Sequence, residues 1–121
     1  MKNSIAQRIA DFLKDYPPFD SMSIKECYAL SCEVEVVYLK KGKILFDQGD
    51  EAHLHFYVVN QGFVNLKLHQ NNSWRLMDVC DEGDVMGLRP LFADKTYAMR
   101  AEAKEDAMLY AVPFENFKPF L

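Results

Sequence analysis

YLKKGKILFDQGDEAHLHFYVVNQGFVNL, residues 38–66, is the stretch from which the fold is read. It holds three short runs rich in β-branched and aromatic residues: KILF, HFYVV and the start of FVNLKLH. Such residues fit a pleated, half-buried surface, so each run predicts a strand. Gly42, Gly49 and Gly62 fall between the runs, where a turn needs positive φ or a close backbone approach. FVNLKLH is the cleanest case: Val64, Leu66 and Leu68 point one way, and Asn65, Lys67 and His69 the other.

The same period of two extends outward. VEVVYL begins at residue 34, WRLMDVC runs over 74–80 and AMLYAV over 107–112, with Gly83 and Gly87 in the gaps. Strands at this spacing predict a mainly β fold, an antiparallel β-roll of the double-stranded β-helix or jelly-roll kind. Helices flank it. In SIAQRIADFLKDY (4–16), Ile5, Ile9, Phe12, Leu13 and Tyr16 form one apolar stripe, and Ser4 with Gln7 predicts a capping box. Pro17 and Pro18 end that helix. Ser23 and Glu26 predict a second capping box, with Ile24, Cys27 and Leu30 facing inward. PFENFKPF closes the chain as a short amphipathic turn or helix. The expected organisation is one domain: a helical element over 1–32, the roll over 33–113 and the start of a C-terminal helix over 114–121.

Composition narrows the function. A chain of 121 residues, half of them hydrophobic and 26% charged, is sized for a single packed core. A formal net charge of −4 argues against nucleic-acid binding, because duplex affinity rests on clustered Lys and Arg. Lys40, Lys41 and Lys43 straddle Gly42 and read as a solvated turn. No apolar run approaches the ~20 residues of a membrane span, and MKNSIAQRIADFL lacks a signal-peptide pattern. The expectation is a cytoplasmic protein with no membrane partner. Cys27, Cys32 and Cys80 form no CxxC pair and are read as buried, reduced thiols. No cofactor is expected.

These residues resemble the cyclic nucleotide-binding domain, the β-roll shared by catabolite-activator-type regulators and cyclic-nucleotide-dependent kinases. FLKDYPPFDSMSIKECYAL (12–30) is similar to the family's N-terminal helical element. In the stretch 38–66, Gly42, Gln48-Gly49-Asp50, Tyr57 and Gly62 stand where the family has them. DEGDVMGLRPLF (81–92) is similar to the opening of its phosphate-binding cassette, and EAKEDAMLYAVPFENF (102–117) to its last strand and C-terminal helix. YPPFD, DVCDEGDVMGLRPL and YAVPFENFKP together resemble a bacterial subgroup in which the domain precedes a CBS-domain pair and a predicted nucleotidyltransferase. That resemblance implies a fragment of a longer signalling protein, with an output domain as partner.

It also implies a ligand site within 83–99: Gly87, Leu88, Arg89, Pro90, Leu91, Tyr97, Ala98 and Met99. The expected ligand is a cyclic nucleotide or another small anion. Backbone donors at the start of a short helix over 87–91 would compensate part of a phosphate charge, and Pro90 is compatible with its first turn. The family's ribose-gripping glutamate, however, falls on Leu88. Its phosphate-pairing arginine falls on Tyr97 and a neighbouring hydroxyl residue on Ala98. A hydrogen bond to a charged group contributes about 1.5–3 kcal/mol, and truncating a buried charge pair costs about 2–5 kcal/mol. The expected loss of affinity is about a thousandfold or more, so the fold is kept and ordinary cyclic AMP binding is not.

Three alternatives stand beside this reading. Arg89, inside the cassette, could replace the missing cation, whereas Arg100 points away by strand alternation. The roll could serve as a ligand-free interaction module or homodimer, using aromatics at its ends: Phe12, Tyr16 and Phe19, and Phe114, Phe117 and Phe120. A cupin-like metalloenzyme would use His53 and His55 on one strand, but no acid follows in FYVVNQG and the only other histidine is His69. A non-enzymatic sensor is the reading preferred.

Overall fold

In the computed structural model, which describes residues 3–93 and 95–121, two four-stranded antiparallel sheets pack face to face and helices cover one of them. Helix α1 spans Ser4–Leu13 and α2 spans Ile24–Ser31. Eight strands follow: β1 Glu35–Leu39, β2 Ile44–Phe46, β3 His55–Gln61, β4 Val64–Gln70, β5 Ser73–Cys80, β6 Val85–Met86, β7 Arg100–Ala103 and β8 Ala107–Pro113. Helix α3, Phe114–Phe117, leads into a 3-10 turn over Lys118–Phe120. The first sheet runs β1-β8-β3-β6 and the second β2-β7-β4-β5. This is the mainly β roll with flanking helices that the sequence predicts.

Phe56, Tyr57, Val58 and Val59 form an unbroken hydrophobic run because both faces of β3 are buried there. Tyr57 and Val59 face the second sheet, joining Leu39, Phe46, Val64 and Leu109 in the inter-sheet core. Phe56 and Val58 face the helices, joining Leu13, Leu30, Tyr110 and Val112. Alternation on β8 sorts Leu109 and Ala111 from Tyr110 and Val112 in the same way.

Both chain ends close on this outer layer. Phe19, in a 3-10 turn over Phe19–Ser21, stacks on Phe56 with ring centroids 6.2 Å apart. Phe117 meets Phe56 edge-on at 5.0 Å and Phe19 at 5.8 Å. Phe19 and Phe117, from the two ends, therefore form one cluster around Phe56, whereas Phe12 meets Tyr16 and Tyr110, and Phe114 meets Phe92. Phe120 stays exposed.

Several sequence expectations need correction. Asn3, not Ser4, caps α1: its side chain accepts from the Ile5 and Ala6 amides, while Gln7 donates to Asp11. Asn is as good a cap as Ser, and the buried stripe of the helix is Ala6, Ile9, Ala10 and Leu13, with the small alanines at the close packing positions. Ile5 is accordingly 65% exposed. Helix α1 stops at Leu13, ahead of the prolines, and Tyr16 lies beyond it. Its ring covers Gly83, where a Cβ would overlap it. The Ser23–Glu26 capping box forms, but Ile24 at its N1 position is 83% exposed. Cys32 is exposed, because it follows α2 as its C-cap, whereas Cys27 and Cys80 are buried. Burial pushes the Cys80 thiol up to about 12, so it is held un-ionised.

Strands β6 and β7 were not read individually from the sequence. Two residues of β6 are too few to show a period, and RAEA in β7 is poor in β-formers. Their pairing with β3 and with β2 and β4 places them. The β4–β5 hairpin turns on Asn71 and Asn72, both with positive φ (55° and 62°), as a two-residue turn of the primed type requires. No helix among the described residues is long and apolar enough to cross a membrane.

Gly62 and Gly42 separate two kinds of glycine requirement. A Cβ on Gly62 would lie 2.5 Å from the Asp106 carbonyl oxygen and 2.8 Å from Ala107 Cα, whereas one on Gly42 meets nothing within 4 Å. Both have positive φ, so Gly42→Ala should cost only the left-handed strain, about 1–2 kcal/mol. Gly62→Ala adds a collision with backbone that cannot rotate away, for a total of at least about 2 kcal/mol. Urea unfolding of the two variants measures the gap, and equal losses would refute the close-approach argument.

Candidate functional site

The cassette lies between β6 and β7 and forms one wall of a solvent-open cavity of about 540 Å³. Of the residues singled out in the sequence, Gly87, Leu88, Arg89, Pro90, Tyr97, Ala98 and Met99 line it. Leu91 does not: it packs with Leu88 against the helix-covered layer. The helix expected over 87–91 is only a 3-10 turn, Arg89–Leu91. Within it the Leu91 amide donates to the Leu88 carbonyl and the Phe92 amide to Arg89, both at 3.1 Å. Pro90 has no N–H, so only Gly87, Leu88 and Arg89 can offer an amide outward.

Gly87 lies at φ +75°, and a Cβ there would sit 3.3 Å from the Phe46 ring and 3.5 Å from that of Tyr97. Those two rings stack at 3.9 Å, nearly parallel at 10°. Tyr97 is 3% exposed, and its hydroxyl accepts from the His53 amide at 2.8 Å. The Tyr97 phenol is raised above its ordinary pKa, chiefly by burial. Tyr97 is also not at a strand start, since β7 begins three residues later at Arg100. It is held by its own amide and carbonyl, paired with the Asp50 carbonyl and the Gly49 amide. This tyrosine is thus a buried packing residue whose hydroxyl oxygen accepts from the His53 amide.

His53 braces a second phenol. Its Nδ1 forms a 2.6 Å hydrogen bond with the Tyr57 hydroxyl, and burial pushes the Tyr57 phenol up to about 12. His53 lies in the loop before β3 rather than on a strand, and only His55 belongs to β3. His69 sits on β4, its ring 4.9 Å from that of Trp74. The two-histidine strand face considered from the sequence therefore does not form.

Arg100 is turned away from the cavity, as alternation implied. Its Nε and Nη2 donate to the two oxygens of Asp47, each at 2.9 Å. Its guanidinium carbon lies 4.1 Å from the Trp74 ring centroid. The Arg100 hydrogen bond holds the Asp47 carboxyl below its ordinary range. Among the described residues that line the cavity the one charged side chain is Arg89, which is exposed at the rim.

Sequence reading missed Phe46, Leu66, Val85, Met86, Phe92 and Thr96 as lining residues. The inward parity of Leu66 beside Val64 was a usable signal. Nothing local marked Phe92, which leans edge-on against Phe114 of α3 at 5.3 Å.

Residues 36–121 match the family described as "Cyclic nucleotide-binding domain". The regulatory domain of Toxoplasma gondii PKA, solved in co-crystal with cAMP, superposes with a TM-score of 0.89 at 17% identity, covering 100% of this chain and 46% of that one. A regulatory subunit of a cAMP-independent protein kinase A from Trypanosoma brucei, a triple mutant bound to cAMP in its A site, gives a TM-score of 0.84 at 16% identity, covering 96% and 44%. A lysine–tRNA ligase from Onion yellows phytoplasma (strain OY-M) is 28% identical over 101 residues, 80% of this chain and 19% of that protein. The chain thus spans about a fifth of that ligase and less than half of either kinase chain.

Proposed function

Because the chain belongs to the cyclic nucleotide-binding domain family, we propose that it is a non-enzymatic regulatory domain that keeps the family's roll but binds cyclic AMP only weakly. One observation carries this reading. The position of the family's phosphate-pairing arginine is occupied by Tyr97, an uncharged side chain whose ring is stacked on Phe46 and whose hydroxyl oxygen accepts from the His53 amide. A cyclic phosphate placed there would leave water without a countercharge, which burial makes costly. Leu88 supplies no acceptor for a ribose hydroxyl. The Trypanosoma brucei kinase subunit, described as cAMP-independent yet bound to cAMP as a triple mutant, supports a roll of this kind outliving its nucleotide response.

The partner we assign is an output domain of a longer protein, engaged through the helical layer. Phe92, at the end of the cassette turn, touches Phe114 of α3, so a change at the cavity reaches the helices in one contact. Calorimetric titration with cyclic AMP and cyclic GMP tests the binding claim. Dissociation constants in the millimolar range, about a thousandfold weaker than a micromolar site, are expected. Saturable heat below ~100 µM for cyclic AMP would overturn the reading.

A further inference from the structure

Resting on that reading of the lost phosphate contacts, we infer that the cavity takes an apolar monoanion: a hydrocarbon body inside, and one carboxylate at the mouth against Arg89. The volume of about 540 Å³ lies within the span typical of small-molecule sites, roughly 300–1,000 Å³. Its walls are Phe46, Leu66, Met86, Leu88 and Met99, with Thr96 the one hydroxyl side chain without a ring among the lining residues. Such walls leave the sugar hydroxyls of a nucleotide unpaired, at the cost of their desolvation, but cover a hydrocarbon without loss. The thioethers of Met86 and Met99 adapt to the shape of a flexible chain.

Arg89 gives the site its polarity. Among the described residues neither ion pair involves it; these are Lys67 with Glu102 and Arg100 with Asp47. Its planar donor fork suits a carboxylate, and its place at the rim lets the anion keep part of its water. A body without further charge fits the described lining residues, among which no other side chain is charged.

The test is a calorimetric titration of the whole chain with decanoate, with 1-decanol as the uncharged control and cyclic AMP as a third arm. Decanoate should bind one per chain with a dissociation constant of about 10⁻⁵–10⁻⁴ M, given the ligand efficiencies of small molecules. Decanol should bind about two- to fivefold more weakly, the range for a solvent-exposed charge pair. In Arg89→Ala that difference should vanish. Ala98→Trp, at an exposed position on the wall, should block both ligands with the melting temperature unchanged. Should Ala98→Trp unfold, Arg89→Glu at the rim replaces it and must weaken decanoate while sparing decanol.

Binding that survives Ala98→Trp, or a decanoate preference that survives Arg89→Ala, overturns the inference. Silence of both decanoate and cyclic AMP sinks this inference alone. Cyclic AMP binding below ~100 µM in competition with decanoate sinks the functional reading above instead.

Discussion

Phe117→Ala should lower the unfolding free energy by about 3–5 kcal/mol, the range for removing a fully buried phenylalanine. Phe117 is 2% exposed and sits between Phe19 and Phe56, so no neighbour can swing in without leaving its own partner. For a domain of this size, total stability is about 5–15 kcal/mol, and the loss would be a large part of it. Urea denaturation followed by circular dichroism measures the change, and a loss under ~1 kcal/mol would show that the cluster is not a structural joint. The effect bears on function, because the same ring ties α3 to the sheet whose edge strand, β6, leads into the cassette.

Restoring the two family polar groups should recover nucleotide affinity. In Leu88→Glu/Tyr97→Arg, cyclic AMP binding should tighten by about a thousandfold, the same two terms that their absence removes. The variant has a structural cost. Losing Tyr97 gives up the stack on Phe46 and leaves the His53 amide without its acceptor. The apo form should therefore melt earlier than the parent, and saturating cyclic AMP should raise its melting temperature through preferential binding to the folded state. Calorimetry gives the affinity and thermal melts give the linkage. An affinity unchanged from the parent in a folded variant would place the defect in the backbone of the 3-10 turn rather than in these side chains.

These predictions divide along a line that runs through the chain as a whole. Patterns carried by near neighbours were legible in the sequence. The parity of FVNLKLH, the strand at HFYVV, the Ser23–Glu26 capping box and the glycine turns each depend on residues within a few positions of one another. The cassette was legible through the family resemblance, which implied Leu88 and Tyr97 as site residues, and both line the cavity. Where local choices were nearly degenerate, as between Asn3 and Ser4 for the cap of α1, the sequence reading slipped by one residue; separately, it put the large Ile5 on the buried face, which the small Ala6 and Ala10 occupy.

Only the tertiary structure decided what each marked residue does. Tyr97 reads locally as a polar side chain free to turn; the His53 amide, 44 positions away in sequence, donates to its hydroxyl oxygen and fixes it in the core. Arg100 is spoken for by Asp47, 53 positions away, and by Trp74. Phe19 and Phe117 stand near opposite ends of the chain and share Phe56. The physical reason is the range of the forces that carry the information. Backbone conformation and side-chain parity are fixed by sterics over a few residues, and so leave a trace in the local order of amino acids. A hydrogen bond or a stacked ring acts over a few ångströms of space, and which distant residues arrive there depends on the path of every strand between them.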